Sequence, residues 1–148
     1  MNDNYSNFSL LLGEDHQVDA HIMGRILEQM NFKGIFIHLT KGEEIVDWVL
    51  KKNSYEGATH HLPQLIILDI GLPGLSGVEI LKTLREHEES KTIPILMCSG
   101  SCSQRDLKQC IALGSNAYIQ KTEDIEAFSR TCRLFIDAWY SVSKQTFF

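Results

Sequence analysis

Acidic, hydroxyl and amino side chains stand directly after four of the apolar segments of this chain. They are Glu14, Asp15, Asp69, Ser99 and Lys121. Crowded carboxylates repel one another and raise each other's pKa unless a cation lies between them. A hard divalent ion with oxygen ligands, Mg²⁺ before Ca²⁺, relieves that repulsion. Together with Lys121 such an ion would attract a phosphoryl group, which a carboxylate such as Asp69 can accept as an aspartyl phosphate.

The segment around Asp69 indicates how that carboxylate is held. Residues 65–68 are four consecutive large apolar residues, the pattern of a strand that is buried on both faces. A turn with two glycines and a proline follows, and a helix is predicted to begin near Ser76. Ligands of open α/β sheets bind beyond the carboxyl ends of the strands. Asp69 therefore stands where such a fold does its chemistry, although an aspartate there can also simply start a turn.

The remaining apolar patterns alternate between strand and helix periodicity. Strands are predicted near residues 9–13, 34–40, 65–69, 92–98 and 116–120, each followed by a helix. The first helix is indicated by apolar residues at every fourth position, namely Val18, Ile22, Ile26 and Met30. This alternation predicts a doubly wound α/β domain, with a five-stranded parallel sheet, helices on both faces and right-handed crossovers.

Composition excludes several classes of protein. The chain has 43% hydrophobic and 22% charged residues, which is typical of a globular domain. Its formal net charge of −5 argues against direct DNA binding, which usually shows as a basic face. It has no apolar run near the ~20 residues that span a bilayer, and its N-terminus lacks the basic start of a signal peptide. We therefore expect a cytoplasmic protein with no membrane association.

The cysteines and the histidine pair have no recognisable metal-binding spacing. We expect the cysteines Cys98, Cys102, Cys110 and Cys132 to be free thiols. A zinc site built from the first two with His60 and His61 is disfavoured, because the spacing is not that of known zinc sites. We expect the two histidines to lie in a solvated loop.

Each candidate residue also has an ordinary structural interpretation. Glu14 and Asp15 alone would favour a helix N-terminus, Ser99 a turn and Lys121 an exposed surface. Tyr118 alone would be a half-buried aromatic residue of a strand. Taken together, their placement at the ends of strands favours one assembled site over an unrelated structural role for each residue.

Four segments, in this order, resemble the receiver domains of bacterial two-component response regulators. They are LLGED at 11–15, LDIGLP at 68–73, MCSG at 97–100 and YIQK at 118–121. The resemblance implies a flavodoxin-like fold with strand order 2-1-3-4-5. It also implies a single receiver domain over residues 1–148, with a core from about residue 8 to 141 and a tail from 142 to 148.

By this resemblance, Asp69 accepts a phosphoryl group from a sensor histidine kinase. Glu14 and Asp15 would hold Mg²⁺ together with Asp69 and the backbone carbonyl of Gly71. The resemblance thus implies a phosphoacceptor rather than an enzyme, with self-catalysed phosphorylation and dephosphorylation as possible activities.

The resemblance also implies a switch. Ser99 and Lys121 would grip the phosphoryl group, and Tyr118 would turn inward when Ser99 moves. The output would then be a surface that a downstream protein reader or a phosphotransfer protein recognises. The chain departs from the family at Thr122, where a proline is usual and the bond before it is often cis, at Gly13, and at Gly71, which leaves that position without a side chain.

Weaker features resemble the stand-alone regulators that partner bacteriophytochromes and related hybrid kinases. These are the long loop 53–63, the non-proline residue Thr122 and the segment 135–139. This resemblance implies a homodimer through the face of the fourth and fifth helices.

Two other functions remain open at this stage. One is a receiver-like adaptor that works independently of phosphorylation, which the departures at Gly13 and Thr122 favour. The other is a flavodoxin-like or phosphatase-type enzyme. The enzyme is disfavoured because no glycine-rich phosphate loop follows the first strand, and because Gly71 stands where such a phosphatase requires a second acid.

Overall fold

The architecture is described for residues 4–101 and 103–145 of a computed structural model. Within these residues, five β-strands alternate with five α-helices. The strands are β1 (Ser9–Gly13), β2 (Ile35–Leu39), β3 (Leu65–Asp69), β4 (Ile95–Ser99) and β5 (Ala117–Gln120). The helices are α1 (Gln17–Gln29), α2 (Gly42–Leu50), α3 (Gly77–Glu86), α4 (Gln104–Leu113) and α5 (Ile125–Gln145), with a short 3₁₀ helix at Asn53–Tyr55.

The strands form one sheet in the order β2-β1-β3-β4-β5, and every pairing is parallel. The predicted doubly wound sheet and its strand order are therefore confirmed. All residues of β1 and β4 are buried, whereas the edge strand β2 leaves Ile35 55% and Phe36 38% exposed. None of the helices in the described part of the chain is long and apolar enough to cross a membrane.

The two faces of the sheet carry separate apolar layers. Helices α2, α3 and α4 cover one face, where Ile45, Ile80, Leu84 and Cys110 pack against the sheet. Helices α1 and α5 cover the other face. Burial on both faces explains why β3 is continuously apolar, since alternate residues of a strand point to opposite sides.

The turn after Asp69 is fixed by the start of α3. Ser76 caps this helix: its hydroxyl accepts the Glu79 amide at 3.2 Å, and the Glu79 carboxylate accepts the Ser76 amide at 3.2 Å. The predicted helix start at Ser76 is thus confirmed. A side chain at Gly77 would place its Cβ 2.5 Å from the Asp69 carbonyl oxygen, so only glycine lets the helix begin this close to β3.

The predicted first helix is present, but the apolar positions that indicate it are only partly those that it buries. The structure buries Met23, Ile26 and Leu27, whereas Val18 is 60% exposed. A helix turns by about 100° per residue, so strict four-residue spacing drifts around its axis, and the buried face follows the mixed three- and four-residue spacing instead.

The predicted tail is helical over much of its length. Helix α5 continues to Gln145, and Tyr140 packs against Tyr5 and Phe8, with ring centroids 4.6 Å and 5.3 Å apart. This aromatic contact anchors the end of the helix to the start of the chain. The rest of that segment, residues 146–148, and Cys102 of the disfavoured zinc site lie outside the described residues.

The expectation of a solvated histidine pair is wrong for His60. Its ring stacks on Trp48 with centroids 3.8 Å apart, and its Nε2 lies 2.8 Å from the Trp48 carbonyl oxygen. Only His61 of the pair is exposed.

Arg85, in a charged run at the end of α3, connects two loops, the α3–β4 loop and the α4–β5 loop. Its guanidinium donates to the carbonyls of Gly114 at 3.0 Å and Ile93 at 2.8 Å, and to Oδ1 of Asn116 at 3.0 Å. The same Oδ1 accepts the Ile95 amide at 2.9 Å. Arg85 therefore ties α3 to the segment between α4 and β5 and to the start of β4.

We predict that Arg85→Gln lowers the free energy of unfolding by about 2–4 kcal/mol, because it leaves carbonyl acceptors without a donor. Denaturant unfolding followed by circular dichroism measures the change. The matched control is Lys82→Gln, which removes the same charge from an exposed position on the same helix. Equal stability of both variants would show that the Arg85 contacts contribute nothing.

We also predict that Cys98, Cys110 and Cys132 resist alkylation in the folded protein. All three are free and buried. Burial raises the pKa of Cys98, and it raises the pKa of Cys132 to about 12. At pH 8.5 an unfolded thiol is about half ionised, whereas these thiols stay protonated and unreactive. Iodoacetamide labelling with peptide mapping tests this, with the denatured protein as the fully labelled control.

Candidate functional site

The five side chains singled out in the sequence lie along one edge of the sheet. Register pairing places Gly13 of β1 beside Leu68 of β3, and Asp69 beside Cys98 of β4. The Lys121 amide donates to the Ser99 carbonyl at 2.7 Å, which carries the alignment across to β5. The carboxyl ends of all these parallel strands therefore meet at one rim.

The carboxylates of Glu14, Asp15 and Asp69 converge at this rim. Each offers one oxygen atom, and these three atoms lie within 4.8 Å of one another. Glu14 is 3% exposed and Asp69 is half-buried, whereas Asp15 is exposed. A set of three carboxylate oxygens with one side open to water is the donor set that suits Mg²⁺, which keeps several waters. The residues present thus fit the predicted metal.

Backbone contacts hold Glu14 in place. Its amide donates to the Leu39 carbonyl at 3.1 Å, and its own carbonyl oxygen lies 2.7 Å from Nε2 of His38. Its carboxylate accepts the His16 amide at 3.2 Å. Glu14 is therefore fixed by β2 and by the entry into α1.

Lys121 neutralises part of this negative charge. Its ammonium lies 2.6 Å from Glu14 Oε1, 2.9 Å from Asp19 Oδ2 and 3.6 Å from Asp69 Oδ2. Its side chain is only 16% exposed, so water screens these charges weakly. The lysine thus contacts the predicted phosphoacceptor, but its two shortest contacts are with other carboxylates.

Burial and pairing act in opposite directions on the pKa values of the site. Burial alone would lower the pKa of Lys121, but its hydrogen bonds to Glu14 and Asp19 outweigh burial and raise that pKa. Burial raises the pKa of Glu14, and the hydrogen bond from Lys121 offsets only part of the rise. Lys121 therefore stays charged, while Glu14 gains most from a second cation at the rim.

Asp19 is a site residue that the sequence analysis missed. It lies in the first turn of α1, four residues after Asp15, and it binds Lys121 across the rim. A signal was available, because an acid in the first turn of a helix that starts at the rim can face the site. Its side-chain direction nevertheless depends on how α1 packs.

Ser99 and Tyr118 contact the same loop residue, Ser101. The Ser99 hydroxyl lies 3.2 Å from the Ser101 hydroxyl and accepts the Ser101 amide at 3.2 Å. The Tyr118 hydroxyl donates to the Ser101 carbonyl at 3.4 Å. The two predicted switch residues are therefore connected through a single residue of the β4–α4 loop.

The three departures have identifiable structural consequences. A side chain at Gly13 would place its Cβ 2.6 Å from Ile45 of α2, so glycine permits that helix to pack against the end of β1. The Gly71 amide donates to Asp69 Oδ1 at 3.3 Å, and a Cβ there would approach nothing closer than Asp69 Oδ2 at 3.9 Å. The bond before Thr122 is trans.

Comparisons with known proteins agree with this architecture. The probable methanogenesis regulatory protein FilR2 of Methanothrix harundinacea is 29% identical over 132 residues, which cover 89% of this chain and 83% of that protein. The polar-differentiation response regulator DivK of Brucella ovis is 27% identical over 128 residues, covering 86% of this chain and 95% of DivK.

Solved structures with the same fold include stand-alone regulators of phytochromes. The phosphorylated cyanobacterial phytochrome response regulator RcpA aligns with a TM-score of 0.83 at 24% identity, covering 91% of this chain and 96% of RcpA. The bacteriophytochrome response regulator AtBRR aligns with a TM-score of 0.71 at 26% identity, covering 85% and 91%.

The family model of the response regulator receiver domain matches residues 10–133. The match begins in β1, ends within α5 and includes every side chain of the rim described above. This chain therefore belongs to the response regulator receiver domain family of two-component signalling.

Proposed function

We propose that Asp69 is the phosphoacceptor of this receiver domain and that a sensor histidine kinase is the donor. The observation that carries the proposal is the meeting of Asp69 with Glu14, Asp15 and Lys121 at one rim. An Asp69 carboxylate oxygen attacks the phosphorus of a phosphohistidine. A phosphorus–oxygen bond forms, the phosphorus–nitrogen bond breaks, and the bonding electrons return to the histidine nitrogen. Such a transfer depends mainly on position and charge neutralisation.

Glu14, Asp15 and Asp69 would hold Mg²⁺, with the Gly71 backbone carbonyl as a further oxygen ligand. When bound, the ion neutralises charge on the transferring phosphoryl oxygens. The fold keeps Glu14 buried and fixed, whereas the site remains open to water on the side of the more exposed Asp15. Gly71 adds no side chain over Asp69, so the phosphoryl group is reached from that side without obstruction.

Lys121 would exchange partners during the reaction. Its ammonium bonds Glu14 and Asp19 and reaches Asp69 only at 3.6 Å. A phosphoryl oxygen on Asp69 would offer a stronger, doubly charged acceptor nearby. We therefore assign Lys121 to the phosphoryl group and Asp19 to holding Lys121 in the unphosphorylated protein.

Ser99 and Tyr118 would convert phosphorylation into a change of surface. The Ser99 hydroxyl contacts Ser101, and turning towards a phosphoryl group on Asp69 would draw it away from that residue. The Ser101 carbonyl also accepts a hydrogen bond from the Tyr118 hydroxyl. A shift of Ser101 would therefore free the tyrosine to turn inward. The phosphoryl group favours this second state because it makes contacts that the first state lacks.

The partners follow from this role. We propose a histidine kinase of the hybrid or phytochrome type, and a protein reader or phosphotransfer protein downstream. We propose a homodimer through the face of α4 and α5, where Ile111 is 63% and Leu134 70% exposed. Like other receiver domains, the protein would act in the cytoplasm, without binding DNA itself. The phosphorylation-independent adaptor is less well supported, because every residue that the chemistry needs is in place.

Incubation with acetyl phosphate and Mg²⁺ is predicted to add one phosphoryl group to the wild-type protein, and none to Asp69→Asn. Intact-protein mass spectrometry detects the adduct. Omitting Mg²⁺ should remove most of it, since the crowded carboxylates then repel the anionic donor. Asp106→Asn on α4 is the matched control and should be labelled like the wild type.

Two results would contradict the proposal. Labelling of Asp69→Asn at the wild-type level would move the phosphoacceptor to another residue. A folded wild-type protein that takes neither a phosphoryl group nor beryllium fluoride with Mg²⁺ would instead support the adaptor.

Asp19→Asn should increase the initial rate of acetyl phosphate labelling by up to about fivefold. The substitution removes a competing partner of Lys121, and a partly exposed pair of this kind contributes about 0.2–1 kcal/mol. The control is Glu28→Gln, which removes one negative charge from the same helix away from the rim. A rate at or below the wild-type value would refute the role of Asp19, whereas equal gains in both variants would assign the effect to net charge alone.

A further inference from the structure

A groove of about 530 Å³ lies between α1, from its middle to its C-terminal end, and the first half of α5. Its volume is within the range of small-molecule sites. Ile26 of α1 and Ser129 of α5 are buried at its base, and Ile22 and Ile125 add apolar surface. None of the carboxylates of the phosphoacceptor site lines it.

Cationic side chains surround this groove. Arg25 stands on the α1 wall and Arg130 and Arg133 on the α5 wall, so that three of the chain's five arginines line one cavity. His21 stands one turn before Arg25 on α1, and Glu126 is the one acid among the lining residues. The chain has a formal net charge of −5, so this local concentration of positive charge is opposite in sign to the charge of the protein as a whole.

The arginines are available to a ligand. In the described part of the chain, Arg25 and Arg130 have neither a hydrogen bond nor an ion pair, and both are exposed. Arg133 donates to Oε1 of Gln29 at 3.1 Å, which spans the groove from α5 to α1 and fixes that guanidinium. A guanidinium carries five N–H donors, so Arg133 keeps most of its donors for a ligand.

We propose that this groove binds a small molecule that bears two or more phosphate groups. Guanidinium groups match phosphate oxygens in paired hydrogen bonds, which makes arginine a preferred phosphate ligand. The cations stand on both walls, so a ligand with more than one phosphate can engage α1 and α5 together. The apolar base accommodates an uncharged part of the same molecule.

The proposal is independent of the phosphoacceptor function. It uses residues outside the acidic rim, and neither result of the labelling experiments bears on it. Both helices nevertheless begin at the rim, α1 carrying Asp19 and α5 following Lys121 by four residues. A ligand that bridges these two helices therefore contacts the elements that hold the lysine.

Isothermal titration calorimetry with pyrophosphate and with ADP tests the proposal. The titrations are done with EDTA, so that no divalent ion draws phosphates to the acidic rim. We expect saturable 1:1 binding by the wild-type protein. Arg25→Gln and Arg130→Gln, one from each wall, should each weaken binding by about tenfold, the loss expected for a charge-assisted hydrogen bond. The control is Arg105→Gln on α4, which makes the same change at an exposed arginine outside the groove.

The outcomes separate the alternatives. Tighter binding of ADP than of pyrophosphate would support a nucleotide-like ligand that uses the apolar base, and equal binding would support recognition of the phosphates alone. No saturable binding of either probe, or equal weakening by Arg105→Gln, would overturn the proposal. The proposal would also be overturned if the arginine variants lost phosphotransfer from a kinase while the wild-type protein bound neither probe. That result would assign the arginines to a protein interface. Thermal unfolding of each variant confirms that it is folded.

Discussion

The partly buried ammonium of Lys121 permits three carboxylates to meet at one rim. Glu14, Asp19 and Asp69 all lie within 4 Å of its nitrogen, in surroundings where water screens charge weakly. Without that cation, their mutual repulsion would favour protonation of a carboxylate or its displacement from the rim. One positive charge shared among three acids is also incomplete compensation. The same arrangement that makes the rim stable enough to fold leaves it able to accept a further cation.

This electrostatic arrangement depends on a rigid backbone. Asp69 and Ser99 close β3 and β4, two of the three inner strands, and close packing of glycine backbones brings the helices up to the strand ends. Gly77 lets α3 start against the Asp69 carbonyl, and Gly13 lets α2 approach β1. The contacts with Lys121 are about 3 Å long, so a small displacement of a carboxylate would change its distance to the ammonium by a large fraction. The sheet supplies the precision, and the loops supply the movement.

Strand-end residues could be predicted from the sequence because the sheet fixes them with short-range rules. A buried apolar run must end somewhere, and parallel strands bring their ends to one edge. Asp19, Arg85 and His60 could not be predicted in this way, since their roles depend on the direction of a side chain across distant elements. The apolar spacing of α1 did not identify its buried face for a related reason, because strict four-residue spacing does not follow the helical period. Local pattern thus determines the elements and the rim, and packing determines which side chains complete it.

Coupling in this molecule runs in two directions from the same strand ends. Towards β4 and α4, Ser101 contacts both Ser99 and Tyr118, so under the proposed phosphorylation of Asp69 a change at Ser99 would reach an aromatic side chain through one loop residue. Towards α1 and α5, Lys121 contacts Asp19, and the two helices that leave the rim enclose the arginine-lined groove. If Lys121 turned to a phosphoryl group, the bond that joins the β5–α5 loop to Asp19 of α1 would be lost. A ligand that bridges α1 and α5 would hold Asp19 close to the loop that carries Lys121, so binding in the groove would favour the state that keeps this ion pair.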